Sequence, residues 1–202
     1  MFEGHGIACE RGERRIFSNL DFSLAPGQAV ILRGPNGCGK TSLLRIAATL
    51  LPAVDGQMMW NGDDISEDIE EHRVRLHFVG HQDAVKGALT VRENVAIWPE
   101  VRGAATDRVD AALAAFGISH LAETPAQYLS AGQHRRTALA RLVASPAALW
   151  LLDEPTVSLD ADGTACLQRV IAEHRAARGM VMAATHIELG LDDAEVLQMT
   201  PR

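Results

Sequence analysis

The chain is poor in cysteine and has no two cysteines in C-x-x-C spacing. Cys9, Cys38 and Cys166 are odd in number and far apart, which fits reduced thiols and excludes a disulfide framework. Long apolar stretches are missing too. No run of about 18 apolar residues occurs, so the chain is not expected to span a membrane by itself. The opening Met1-Phe2-Glu3-Gly4-His5-Gly6 has neither a positive segment nor an apolar core, so no secretory signal is expected, and a cytosolic home follows. An excess of basic charge is also absent. With 19 Lys+Arg against 26 Asp+Glu the formal net charge is −7, which argues against a nucleic-acid partner held through phosphate contacts. His77 and His81 fall on a strand and its following loop with no third ligand close in sequence, so no metal centre is expected there. There is no internal repeat and no low-complexity segment.

What is present is an ordinary soluble composition, 47% hydrophobic and 22% charged over 202 residues. That length suits one large domain, or a core with a modest inserted subdomain. The stretch Gly34-Pro35-Asn36-Gly37-Cys38-Gly39-Lys40-Thr41 fits G-x-x-x-x-G-K-[ST] at every fixed position. Before it, Ala29-Val30-Ile31-Leu32 reads as a buried strand; after it, Ser42 to Leu51 reads as a helix. Glycines let such a loop curl its N–H groups inward, and the helix N-terminus adds partial positive charge facing the phosphates. Lys40 would reach the β- and γ-phosphates and the Thr41 hydroxyl would ligate Mg²⁺.

Residues 4 to 33 read as antiparallel strands with turns at Glu10-Arg11-Gly12-Glu13 and Ala25-Pro26-Gly27. Asp55-Gly56 and Asn61-Gly62 bracket a short strand over Gln57 to Trp60, and Leu76 to Gly80 leads as another strand into His81-Gln82. Between about Thr90 and Ala144 the pattern is helical throughout, with Ala-rich segments at Thr106 to Phe116 and Ala131 to Ala144, as expected of an all-helical insertion. Strand character returns at Ala148 to Leu152. A helix from about Ala161 to Ala177 and strands at Met180 to Ala184 and Val196 to Met199 complete an α/β pattern.

The apolar strand before Asp153-Glu154 delivers two carboxylates to the C-terminal edge of the sheet, where α/β folds place ligands. Asp153 would hold the Mg²⁺ shell, and Glu154, one residue further on beside the γ-phosphate, would be the general base for the attacking water. Leu129-Ser130-Ala131-Gly132-Gln133 precedes a helix, with Ser130 as its N-cap and Gly132 allowing close backbone approach.

Taken together, these motifs resemble the nucleotide-binding domain of ABC transporters over nearly the whole chain. The pentapeptide matches that family's signature, usually Leu-Ser-Gly-Gly-Gln, with Ala131 in place of the first glycine. The resemblance implies a P-loop NTPase fold of ABC type: a mixed sheet core with an antiparallel β subdomain (1–89 and 145–202) and an inserted helical signature subdomain (90–144), in a single ATP-binding domain. It implies Mg-ATP as cofactor, with Gly34 to Thr41 and the adjoining Ser42 in the binding set. Gln82 matches the Q-loop glutamine, which touches Mg²⁺ and the water and reports to a membrane partner. Ser158-Leu159-Asp160 matches the D-loop, and His186 matches the switch histidine at the γ-phosphate. Ser130, Gly132, Gln133 and Asp160 would join the nucleotide contacts. Where an aromatic residue usually stacks on adenine this chain has Arg11, whose guanidinium plane could stack instead, or Phe17 could substitute.

In the family, the signature of one subunit completes the ATP site of another, so the resemblance implies a head-to-tail dimer around two ATP molecules, favoured by ATP and released by hydrolysis. Cys38, near a helix N-terminus and Lys40, is expected to have a lowered thiol pKa, with alkylation blocking ATP binding. Ala8-Cys9-Glu10-Arg11, Trp60-Asn61-Gly62, Gly80-His81-Gln82 and Leu129 to Arg136 are similar to one subfamily, the ATPases of the haem exporter used in cytochrome c maturation. That likeness implies multi-spanning membrane subunits as partners and a peripheral place on the cytoplasmic face of a bacterial inner membrane. A cassette serving another transported substrate would share every catalytic residue. A soluble ABC-type ATPase would need a long coiled-coil insertion between Gln82 and Ser130 or a second cassette, and the chain has neither.

Overall fold

The computed structural model describes residues 1–12 and 14–200. Two strands open the chain, β1 (Phe2–Arg11) and β2 (Arg14–Leu24), paired antiparallel. β3 (Ala29–Arg33) then enters a second sheet and runs into α1 (Lys40–Ala47), after which β4 (Asp55–Trp60) and the two-residue β5 (Asp63–Asp64) return to the first. α2 (Ile69–Val74) and β6 (Leu76–Val79) lead to three helices, α3 (Val91–Val101), α4 (Val109–Ala115) and α5 (Ala131–Ala144). β7 (Leu149–Asp153), α6 (Ala161–Ala176), β8 (Met180–Ala184) and β9 (Glu195–Gln198) complete the chain. The antiparallel sheet has the order β2-β1-β4-β5, and the parallel sheet the order β6-β7-β8-β3-β9.

Every central strand of the parallel sheet is apolar on both faces, and its period of two sorts the residues into two cores. Val30 and Leu32, Leu149 and Leu151, and Met180 and Met182 face one cluster, shared with Leu43 and Leu44 of α1 and with Phe2, Phe22 and Leu24 of the antiparallel sheet. Ile31, Trp150, Leu152, Val181 and Ala183 face the other, filled by Leu139 and Leu142 of α5, Val170 and Ile171 of α6, and Val95 and Leu113 of α3 and α4. α1 is thus packed between the two sheets, whereas α3 to α6 cover the opposite face.

The phosphate-loop helix is shorter than the Ser42 to Leu51 span expected from its composition. It starts at Lys40 because Gly39, at φ 104°, turns the loop straight into helix. It stops at Ala47 because Thr49 adopts a left-handed conformation, φ 56°. Leu50 N–H then bonds to Arg45 O and Thr49 N–H to Ile46 O, closing the helix in a Schellman arrangement. α5 begins where the sequence indicated, at an N-capping Ser130. Its hydroxyl accepts from Gln133 N–H at 3.3 Å while the Gln133 side chain accepts from Ser130 N–H at 2.9 Å, a reciprocal box worth about 1 kcal/mol.

Candidate functional site

Because β6, β7, β8 and β3 are parallel neighbours, the segments that follow them emerge along one edge of the sheet: His81-Gln82, Asp153-Glu154, Thr185-His186 and the phosphate loop. The loop is tightly built. A Cβ on Gly34 would lie 2.2 Å from the Met199 carbonyl oxygen, and one on Gly39 would lie 2.6 Å from the Phe17 ring. No other residue fits either place without moving backbone or core. Lys40 is buried, 8% exposed, and its Nζ donates to the Gly34 carbonyl at 2.7 Å. Its ammonium therefore sits at the mouth of the curl made by residues 34 to 39.

Thr41 Oγ1 donates to Asp153 Oδ1 at 3.0 Å, joining the loop to the end of β7 across 112 residues of sequence. Asp153 is 5% exposed, and Glu154 follows at φ 45° with its N–H held by Ala184 O at 2.8 Å. A glutamate in that left-handed region is strained, and it persists because β8 fixes the turn. Beyond β8, Thr185 Oγ1 accepts from Ile187 N–H at 3.1 Å, and the exposed His186 side chain lies with Nε2 3.6 Å from Glu154 Oε1. Gln82 is exposed in the neighbouring loop, and among the described residues no hydrogen bond joins it to Thr41, Asp153 or Glu154.

Ser130, Gly132 and Gln133 lie elsewhere. With Arg136, Ser158 and Asp160 they line a cavity of about 290 Å³ to which no phosphate-loop residue contributes. Asp160 was expected to contact nucleotide, but its carboxylate caps α6 at Gly163 N–H, 2.8 Å away, and pairs with Arg136. Arg136, followed by that cap, holds the carboxyl below the usual range. Its side chain stays 67% exposed and lines the cleft with Ser130 and Gly132. Two expectations change. Phe17 is 4% exposed and packs under Gly39, so it offers no face to an adenine, whereas Arg11 is exposed at the end of β1. Cys38 is fully buried against Gly34, which shields its thiol from alkylating reagents.

Two residues to which the sequence assigned no role become prominent. The buried Arg135 and the partly exposed Asp83 form an ion pair at 2.6 Å between α5 and the Gln82 loop. The pair spans 52 residues of sequence, and the signal available was an arginine repeated after the signature, which has no local meaning.

The profile of the ABC transporter family matches residues 17–157. Among solved structures, a putative ABC transporter ATP-binding protein from Pyrococcus furiosus superimposes with a TM-score of 0.85 at 23% identity, covering 98% of this chain and 96% of its own. An ATP-binding subunit of an ABC transporter gives 0.83 at 18%, covering 92% and 80%. The chain belongs to the ABC transporter family, with that family's P-loop fold, and is an ATPase.

Its relatives narrow the family to one branch. The chain is 51% identical over 199 residues to the cytochrome c biogenesis ATP-binding export protein CcmA of Rhodospirillum rubrum, covering 98% of this chain and 85% of that protein. It is 48% identical over 202 residues to the protein of the same name from Paramagnetospirillum magneticum, covering 98% and 93%.

Proposed function

We propose that the chain is the ATP-hydrolysing subunit that powers haem export or delivery for c-type cytochrome biogenesis, working as a head-to-tail dimer on membrane subunits. The observation that carries the catalytic part is the Thr41 to Asp153 hydrogen bond, which sets the phosphate loop against the strand that delivers Glu154. Lys40, released from the Gly34 carbonyl, binds the β- and γ-phosphates, and the residues 34 to 39 wrap them. Thr41 and Asp153 present a hard oxygen pair that would hold Mg²⁺. Bound there, the ion would neutralise charge building on the β- and γ-oxygens. Glu154 accepts the proton of the attacking water, Gln82 helps orient that water, and His186, 3.6 Å from Glu154, lies beside the γ-phosphate. Arg11 is the residue left to stack on adenine.

The signature cleft supports the dimer. Its helix N-terminus at Ser130 is an anion site, yet nothing within one chain brings a phosphate loop to it, so a second copy supplies the nucleotide. A cavity of about 690 Å³ opens beside Gln82 between Trp98, Arg102 and Arg45. That position lets a membrane subunit feel the Gln82 loop. Among the described residues no helix is long and apolar enough to cross a membrane, which fits a peripheral subunit on the cytoplasmic face of the inner membrane. The test is to recover Glu154→Gln protein from gently solubilised native membranes in Mg-ATP and identify what accompanies it. A dimer bound to cytochrome c maturation membrane proteins is expected; a different permease would replace the cargo, and a monomer with no membrane protein would sink the reading.

A further inference from the structure

Asp83 follows Gln82, and both its carboxylate oxygens are taken by α5: Oδ2 by His134 Nδ1 at 3.0 Å and Oδ1 by Arg135 at 2.6 Å. The Arg135 side chain is 3% exposed. Its remaining donors reach main-chain carbonyls on two other segments, Gly80 at 3.0 Å, Pro155 at 3.1 Å and Glu154 at 2.9 Å. Each acceptor flanks a reacting group. Gly80 and Asp83 bracket Gln82, while Glu154 and Pro155 form the strained turn that carries the base. A buried ion pair is by itself weak evidence of stability, since apolar residues of similar volume often do as well. Packing alone explains the buried stem of Arg135 but not why its donors converge on these two segments and no others. The planar fork of arginine can span such acceptors, and a lysine, a single charge centre, cannot.

We propose that Arg135 is a positioning residue: it ties the loop bearing Gln82 to the turn bearing Glu154, with Asp83 as its counter-charge. Because the guanidinium belongs to the signature helix, one element sets the water-orienting group and the base together. Any shift of α5 moves both. The role rests on the assignment of Glu154 and Gln82 made above.

The test uses the full chain with its membrane subunits and compares Arg135→Lys with wild type in steady-state ATP hydrolysis, nucleotide binding and thermal melting. A displacement of about 1 Å can cost on the order of 100-fold in rate, so kcat should fall at least about tenfold while KM for Mg-ATP stays within about twofold. Asp83→Asn, which keeps shape and one acceptor, should lower kcat by a smaller factor, again at nearly constant KM; it serves if Arg135→Lys does not fold. Unchanged kcat in a folded Arg135→Lys protein would overturn the role. So would kcat and nucleotide affinity falling together with melting temperature in both variants, which is the mark of a merely structural pair. Glu154→Gln runs alongside: if it still turned over ATP, the assignment of the base would fall first and the strut with it.

Discussion

α1 and α5 each present an N-terminus that the proposed function assigns to phosphate, but they are rooted in different places. α1 is wedged between two sheets, in the core that contains Phe2, Phe22 and Leu24. α5 lies across the parallel sheet, in the core it shares with α3, α4 and α6. The first site is finished within the chain: glycine curl, Lys40, Thr41 and Asp153 already touch. The second is a capped helix end over a cleft to which no phosphate-loop residue of the same chain contributes. A fixed half-site and an open half-site in one molecule fit the head-to-tail dimer proposed above, and Arg135 links the second to the turn that follows Asp153.

The sharpest way to break this contrast is to damage one half-site at a time. Lys40→Ala removes the cation from the finished half and should abolish measurable ATP binding in equilibrium titration; binding within about tenfold of wild type would show the loop is not the phosphate grip, since a charge-assisted contact contributes about 1.5 to 3 kcal/mol. Ser130→Arg fills the open half and should leave ATP binding intact while abolishing turnover. Mixing the two inactive variants then offers one complete composite site per mixed dimer, so partial recovery of ATPase activity is expected, and none would mean that each chain works alone.

The smallest effect concerns the cores themselves. Burial pushes His77 down to about 3 and His174, which is stacked on Trp150 at 3.7 Å, down to about 4. Burial also lowers His72. The folded chain holds these rings neutral while the unfolded chain protonates them near pH 6.5. Their stabilisation is therefore complete above that pH and is lost progressively as pH falls from 6.5 toward the folded values, about 3 for His77 and about 4 for His174. Between pH 6.5 and 5 each of the first two should cost about 2 kcal/mol, at 1.36 kcal/mol per unit. Melting curves at pH 7 and pH 5 check this, and His174→Phe should flatten the difference; an unchanged slope would place the loss elsewhere.

The finished half-site was nearly all legible from sequence because its motif is local. Eight consecutive residues fix the loop, and the strand before Asp153 announces itself by continuous apolarity. What escaped depends on distance or on backbone shape. No spacing rule joins Asp83 to Arg135. The early stop of α1 rests on the left-handed Thr49, a residue type that seldom adopts it. Phe17 looked free for adenine until its place under Gly39 was visible. That Asp160 also caps α6 and pairs with Arg136 could not be read from its place in the chain. Cys38 shows the same limit: its neighbours in sequence suggest a reactive thiol, and its neighbours in space enclose it.

Glu154 stands at φ 45°, where glycine or asparagine would rest with less strain. A search for stability alone would exchange it, and, with Glu154 as the proposed base, the chain that won is expected to melt later and lose turnover. At this one position thermal robustness and work pull in opposite directions, so libraries selected for heat resistance need a simultaneous demand for turnover to keep the glutamate.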